Sequence, residues 1–319
     1  MNVSVIGGDI RNYELAKILD SKHNLRLYGF EKNENNVFSK IGFEEAIGKS
    51  QIIITPIPIS KDNIVLNMPF AKEKLSLEDF TCKCMGKTII TGNILEKYKN
   101  VLEENNNIVK DILKLDEYAI LNGEPTAEGA IQIAMENTRK VLQKSNILIL
   151  GYGKIGKILA AKLQKLDCNV YCSARKKSDF AWMEVNNINQ VKYEELLETI
   201  KNMDIIFNTV PSIILNEKEI ENIKQTAIYI ELASKPGGID LEIAQKLEKN
   251  IINAQGLPGK VAPVTSAQIL AKILENIWNN RKRDLYGNLS SINFRNSTRT
   301  NWTFTSIKFS TFNNYTMAM

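Results

Sequence analysis

A short apolar run followed by three closely spaced glycines most constrains the fold of this chain. Residues 146–157 read NILILGYGKIGK, in which Gly151, Gly153 and Gly156 follow a predicted buried strand and open a predicted amphipathic helix. This spacing lets the backbone approach a pyrophosphate at the first two glycines and packs the helix on the strand at the third. A second predicted strand follows at 169–174. The segment therefore predicts a dinucleotide-binding fold.

The predicted dinucleotide fold also assigns expected roles to other residues. Lys154 and Ile155 begin the helix, and we expect their backbone amides to face the phosphates because a helix N-terminus carries unpaired N–H groups. Thr209 and Pro211 end a later predicted strand. By analogy with other folds of this kind, we expect these two residues to meet a ribose of the dinucleotide.

The second predicted strand, at 169–174, ends without the acidic residue that usually binds the adenosine ribose. Ser173, Arg175 and Lys176 stand near the position where Asp or Glu is expected, roughly 20 residues after the glycines. Small and basic side chains suit a 2′-phosphate, so the sequence favours NADP over NAD. A solvated basic turn without a ligand is the alternative interpretation.

Strand-like runs alternate with helix-like segments along most of the chain, which indicates parallel sheets. Besides the strands above, apolar runs lie at 3–7, 25–30, 51–57, 87–91, 203–210, 227–233 and 251–257. Helical patterns lie at 11–19, 94–104, 126–144 and 265–280. The predicted fold class is α/β, with two Rossmann-like doubly wound parallel-sheet domains joined by a connecting helix.

The same alternation predicts the domain boundaries. We expect an N-terminal Rossmann-like substrate domain at residues 1–125, a connecting helix at 126–145 and an NADP-binding Rossmann domain at 146–265. A C-terminal helix at 266–285 is expected to pack back onto the first domain. The tail at 286–319 is rich in Asn, Ser and Thr, and we expect it to be irregular or disordered.

Composition excludes several classes of function. The net charge is +5, but six of the 41 basic and one of the 36 acidic residues follow residue 280, so residues 1–280 carry 35 of each sign. A nucleic-acid surface needs basic residues gathered on a folded face, and the balanced charge of residues 1–280 gives no sign of one.

Membrane and zinc-binding functions are not indicated either. No apolar run approaches the roughly 20 residues of a membrane span, and the cysteine spacings fit no zinc site. We expect a cytoplasmic protein without nucleic acid, membrane or metal.

Five motifs point beyond a generic dinucleotide fold. They are NGEPTAEGAI at 122–131, LGYGKIG at 150–156, SAR at 173–175, ELASKPGGID at 231–240 and GLPGKVAPVTSAQIL at 256–270. With them, the chain resembles the A-subunit family of dipicolinate synthases over about residues 1–285. The wider architecture is similar to that of D-2-hydroxyacid dehydrogenases and S-adenosylhomocysteine hydrolases, in which two domains close on a cleft.

The resemblance implies a function, a cofactor and a partner. It implies oxidation of dihydrodipicolinate to dipicolinate with NADP as hydride acceptor, in the mother cell during sporulation. The implied partner is a flavoprotein-like B subunit. We further expect the chain to form an oligomer.

The implied substrate, a small ring dicarboxylate, needs cations in its site because guanidinium and ammonium groups bind carboxylates. Arg11 follows the first glycine turn of the chain, and Lys235 and Lys260 lie in loops after successive strands. Thr126 and Glu128 begin the connecting helix near the expected cleft. They are candidates to orient the substrate or accept a proton, with helix capping as the alternative.

Two other functions stay open at this point. The first is an NADP-dependent dehydrogenase of another small carboxylate, similar to 2-hydroxyacid dehydrogenases. The second is a non-catalytic nucleotide-binding subunit whose partner carries out the chemistry.

Overall fold

The computed structural model describes the backbone of residues 1–295 and the side chains of residues 1–279. Within that range, eleven strands form two sheets in which every pair of neighbours is parallel. The first sheet has the order β2-β1-β3-β4-β5 and consists of β1 (Asn2–Ile6), β2 (Asn24–Tyr28), β3 (Ile52–Ile54), β4 (Thr88–Thr91) and β5 (Ile108–Asp111). The second has the order β11-β10-β9-β6-β7-β8 and consists of β6 (Asn146–Leu150), β7 (Asn169–Ser173), β8 (Asn189–Val191), β9 (Ile205–Asn208), β10 (Ile228–Glu231) and β11 (Asn250–Asn253). The predicted fold class is confirmed.

Thirteen α-helices alternate with these strands in the described part of the chain. They are α1 (Ile10–Asp20), α2 (Phe43–Gly48), α3 (Leu77–Lys83), α4 (Glu96–Glu104), α5 (Asp116–Leu121), α6 (Gly123–Asn137), α7 (Lys154–Lys165), α8 (Lys177–Val185), α9 (Leu196–Ile200), α10 (Glu217–Glu221), α11 (Leu241–Lys246), α12 (Leu257–Val261) and α13 (Pro263–Arg295). None of these helices is both long and apolar enough to span a membrane.

The apolar run of β6 reflects burial on both faces of the second sheet. Ile147 and Ile149 belong to one buried cluster, whereas Leu148 and Leu150 belong to another. Successive side chains of a strand point to opposite faces, so a strand covered on both sides has no polar alternation. This explains why β6 reads as a continuous run of apolar residues.

In each sheet, the order in which the chain adds strands reverses at one pair of neighbouring inner strands. In the second sheet the chain runs outward from β6 to β8 and then returns to β9 on the other side of β6. In the first sheet the corresponding pair is β1 and β3. Ligands of open α/β sheets bind outside the carboxyl ends of the strands at such points. The loops that follow β6 and β9 therefore lie where a dinucleotide is expected.

Helix α6, which connects the two sheets, packs on α7 and α12. A Cβ atom at Gly129 would lie 3.0 Å from Val261 Cγ2 and 3.2 Å from Leu257 Cβ. The helix ends at Asn137, before the predicted limit at residue 145, because Thr138 adopts an extended backbone. Asn and Thr have lower helix propensity than the alanines and glutamates before them.

Several elements differ from the prediction. Strands β5 and β8 were not predicted, because they are short edge strands that keep exposed and polar residues. The segment GLPGKVAP was expected to be a loop, but five of its residues form α12. Helix α13 continues through residues 286–295, where irregular structure was expected, and residues 296–319 lie outside the described residues. The packing of the predicted C-terminal helix on the first domain stays a prediction.

Gly129→Val tests the packing of α6 on α12. We expect the variant to lose about 1–3 kcal/mol of folding free energy, since extra carbon atoms at a close helix contact force the neighbours apart. Gly48→Val is the matched control, because Gly48 is also helical and a Cβ atom there meets nothing within 4 Å. Urea denaturation of both variants measures the difference. Equal stability of the two variants would contradict this packing.

Candidate active site

The turn between β6 and α7 is built on close contacts that only glycine permits. Gly151 has φ +94°, and a Cβ atom there would lie 2.6 Å from Thr209 Oγ1 and 2.6 Å from Val210 Cγ2. A Cβ atom at Gly156 would collide with the carbonyl oxygen of Gly151. These contacts bring the start of α7 directly against the end of β6, as the glycine spacing predicts.

Space above this turn fits a pyrophosphate. Gly153 precedes α7 in extended backbone, and a Cβ atom there would meet nothing within 4 Å. No side chain caps α7, so the first N–H groups of the helix, including those of Lys154 and Ile155, have no side-chain acceptor. Uncapped N–H groups and the positive end of the helix dipole bind phosphate well. The Lys154 side chain itself pairs with Asp116, with Nζ 2.6 Å from Oδ1.

Thr209 and Pro211 lie at the neighbouring strand end, after β9. The Thr209 hydroxyl donates to the carbonyl of Leu150 over 2.9 Å, which ties the end of β9 to the end of β6. Pro211 is exposed. Both residues are therefore next to the glycine turn, and their contact with a ribose stays a prediction.

The three residues predicted to meet a 2′-phosphate have different surroundings. Arg175 and Lys176 are exposed in the loop between β7 and α8. Ser173, in contrast, is fully buried as the last residue of β7, and its hydroxyl has no hydrogen-bond partner among the residues that the structure describes. Ser173 therefore does not lie with the two cations on the surface, because β7 is an inner strand covered by its neighbours.

The glycine turn of the first domain has no comparable space. A Cβ atom at Gly7 would collide with the Met68 side chain, and one at Gly8 would collide with Asn12. The Gly8 amide donates to the carbonyl of Asn67 over 3.0 Å. Side chains of the same domain thus occupy the volume that a phosphate would need.

Arg11 is bound within the first domain. Its guanidinium donates to both Asp9 carboxylate oxygens, with Nη2 2.7 Å from Oδ2, and Nη2 also donates to the carbonyl of Ile57 over 2.9 Å. Burial alone would lower the pKa of Arg11, but hydrogen bonds to Asp9 and the charge of that carboxylate raise it. The guanidinium is therefore already paired within the protein, since the nearby glycine turn places Asp9 in reach of it, and its contact with a substrate carboxylate stays a prediction.

Thr126 and Glu128 both have partners within the protein. The Thr126 hydroxyl is buried and donates to the carbonyl of Asn122, one turn back in the chain, over 2.7 Å. Glu128 is exposed, and its carboxylate lies 3.0 Å from Nζ of Lys162 on α7. Its place on the helix directs Glu128 to α7, and its predicted proton-accepting role stays a prediction.

Lys235 and Lys260 are exposed cations in segments that follow strands of the second sheet at its carboxyl edge. Lys235 follows β10, and Lys260 lies in α12, which follows β11. Neither ammonium group makes an ion pair or hydrogen bond within the described residues. Gly259, next to Lys260, packs on the Asp9–Arg11 pair, since a Cβ atom there would lie 2.9 Å from Arg11 Nε. Lys260 is therefore adjacent to the first domain.

Two buried polar residues at this edge were not predicted. Asn208 ends β9 and Glu231 ends β10, and their side chains share a hydrogen bond of 2.7 Å. Their positions in strands of apolar neighbours suggested only core residues. The sequence signal for Glu231 was the motif ELASKPGG, in which an acidic residue ends a strand and two adjacent glycines come later in the following loop.

The fold and the glycine turn define an oxidoreductase with a nicotinamide-dinucleotide domain. Residues 124–257 match the model of the D-isomer specific 2-hydroxyacid dehydrogenase NAD binding domain, and residues 2–113 match the model of the N-terminal domain of the dipicolinate synthase A subunit. The chain is 30% identical to the A subunit of dipicolinate synthase of Bacillus subtilis (strain 168), over 87% of this chain and 95% of that protein. This chain belongs to the family of dipicolinate synthase A subunits.

Solved structures agree with this assignment. The A subunit of dipicolinate synthase from Bacillus halodurans superposes with a TM-score of 0.78 at 26% identity, covering 86% of this chain and 97% of that chain. The corresponding chain of dipicolinate synthase from Bacillus subtilis superposes with a TM-score of 0.78 at 28% identity, covering 89% and 97%. The likeness therefore includes both sheets.

Gly153→Ala tests the phosphate position. We expect the dissociation constant for NAD(P)H to rise about 10- to 100-fold, since a methyl group would occupy the space that the pyrophosphate needs. The melting temperature should not fall, because a Cβ atom at Gly153 meets no protein atom within 4 Å. Fluorescence titration and thermal unfolding provide the two measurements. Unchanged binding would place the pyrophosphate elsewhere.

Proposed function

We propose that this chain oxidises dihydrodipicolinate to dipicolinate with NADP as hydride acceptor. The observation that carries this proposal is the likeness to the A subunit of dipicolinate synthase over 95% of that protein's length, which includes both the dinucleotide domain and the N-terminal domain. The chain's own residues support it with a glycine turn that is open at Gly153 and with two exposed lysines, Lys235 and Lys260, that make no ion pair within the described residues. Like the A subunit it resembles, the chain would act with a flavoprotein-like B subunit.

The cofactor side of the reaction rests on three groups of residues. Backbone amides at the start of α7 would bind the pyrophosphate, and Gly153 leaves room for it. Arg175 and Lys176 are exposed at the end of β7, where a 2′-phosphate would lie. NADP bound in this way supplies the acceptor for the hydride.

The substrate side rests on Lys235 and Lys260. Their ammonium groups would bind the two carboxylates and orient the dihydropyridine ring toward the nicotinamide. The ring loses one hydride to the cofactor and one proton to water, which leaves an aromatic product. Because aromatisation drives the reaction, orientation and electrostatic complementarity are the main requirements of the site.

A spectrophotometric assay tests the proposal. Purified chain is mixed with NADP and dihydrodipicolinate, alone and with the B subunit, and NADPH formation is followed at about neutral pH. We expect NADPH to appear only when dihydrodipicolinate is present. Activity with 2-hydroxy acids instead would favour a dehydrogenase of another small carboxylate. Nucleotide binding without turnover under either condition would favour a non-catalytic subunit.

Arg175→Ala tests the preference for NADP. We expect NADP affinity to fall about 10- to 100-fold and NAD affinity to change little, because a charge-assisted hydrogen bond to a phosphate contributes roughly 1.5–3 kcal/mol. Arg139→Ala is the matched control, since Arg139 is exposed in the loop before β6. Calorimetry with both dinucleotides measures the effect. Equal losses for NADP and NAD, or tighter binding of NAD by the unmodified chain, would refute this preference.

Lys235→Ala and Lys260→Ala test the substrate contacts. Each variant should lower kcat/KM for dihydrodipicolinate at least about 30-fold, because a desolvated carboxylate that loses its cation partner costs about 2 kcal/mol or more. Affinity for NADPH and the melting temperature should stay near wild type, since neither lysine has a protein partner within the described residues. Lys246→Ala, an exposed lysine on α11, is the control. Wild-type kinetics in both variants would remove these residues from the site.

A further inference from the structure

Glu231 is a buried carboxylate that accepts four hydrogen bonds at the carboxyl edge of the second sheet. Its Oε1 accepts from Asn208 Nδ2 at 2.7 Å and from the Ala233 amide at 2.9 Å. Its Oε2 accepts from the Gly238 amide at 2.8 Å and from the Tyr229 hydroxyl at 3.2 Å. The side chain is 4% exposed. These donors satisfy the carboxylate without a cation among the described residues.

Only a carboxylate at this position can accept all four of these hydrogen bonds. Each oxygen of Glu231 faces at least one N–H group, whereas an amide in its place has one oxygen and one NH₂ group. A glutamine would therefore leave one N–H donor opposite another donor, although it has nearly the same shape. Burial, together with the charge of Glu231, raises the pKa of Tyr229, so that its hydroxyl keeps the proton that it donates.

Asn208 connects Glu231 to the pyrophosphate turn. Its Nδ2 also donates to the carbonyl of Val210 over 2.9 Å, and the Val210 amide donates to its Oδ1 over 3.1 Å. Val210 and Thr209 in turn contact Gly151, where no Cβ atom can be accommodated. Glu231 is thus connected, through Asn208 and Val210, to the backbone beneath the turn.

The same carboxylate holds the loop that carries Lys235. It accepts from Ala233 before the lysine and from Gly238 after it, so the loop is attached at both ends. A Cβ atom at Gly238 would lie 2.5 Å from Asn208 Nδ2, and one at Gly237 would lie 2.9 Å from Glu231 Oε2. This close approach gives a physical reason for the two adjacent glycines of the loop.

We propose that Glu231 is a positioning residue that couples the dinucleotide turn to the Lys235 loop. One buried carboxylate sets the geometry of both: through Asn208 it supports the backbone under Gly151, and through Ala233 and Gly238 it orients the loop of Lys235. Its effect on the substrate rests on the function proposed above, whereas its effect on the dinucleotide does not.

Glu231→Gln tests the coupling, with Glu242→Gln on the exposed start of α11 as the control. Binding of NADPH or NADH, whichever the wild-type chain binds more tightly, is titrated by fluorescence. We expect the dissociation constant to rise about tenfold and the KM for dihydrodipicolinate to rise about tenfold. In a Lys235→Ala background, Glu231→Gln should still weaken dinucleotide binding but should no longer change the substrate KM.

The outcomes separate the two proposals. A lower melting temperature with unchanged dinucleotide affinity and unchanged KM would show a merely structural role and overturn the inference. If Glu231→Gln weakens dinucleotide binding but the wild-type chain does not oxidise dihydrodipicolinate, the coupling to the turn is supported and the proposed function is contradicted. If Glu231→Gln does not fold, Tyr229→Phe removes one of the four donors. It should raise both constants two- to threefold, and unchanged constants would overturn the inference.

Discussion

The structure depends on how closely the start of α7 approaches the end of β6. Gly151 and Gly156 allow this approach, because side chains at either position would collide with the protein itself. The approach leaves the helix N-terminus uncapped and places Gly153 at open space. An open helix N-terminus thus arises from backbone geometry, and such a terminus is suited to a phosphate.

Much of the fold followed from the sequence, since apolar runs and glycine spacing report burial and backbone geometry directly. Five strands of the six-stranded sheet and the glycine turn were predicted from residues 146–157 and from the strands after them. The edge strands β5 and β8 were missed because exposed, polar residues have no strand pattern. Helix α12 was missed because Gly and Pro in GLPGKV indicate a loop more strongly than a five-residue helix.

Side-chain partners were harder to predict. Arg11 and Glu128 were expected to face a ligand, but each pairs with a protein group: Arg11 with Asp9, two residues earlier in the same turn, and Glu128 with Lys162, which is distant in sequence. Glu231 and Asn208 were missed for the opposite reason, since buried polar residues in apolar strands resemble core residues until their hydrogen bonds are known. Lys235 and Lys260 are exposed and make no ion pair within the described residues, and their contact with a substrate stays a prediction.

The most direct test of this account is a crystal structure of the chain with NADP and dipicolinate. The account predicts the pyrophosphate within hydrogen-bond distance of the Lys154 and Ile155 amides and the 2′-phosphate on Arg175. It also predicts the product carboxylates on Lys235 and Lys260. A dinucleotide bound at the glycine turn of the first domain, or dipicolinate distant from both lysines, would contradict it.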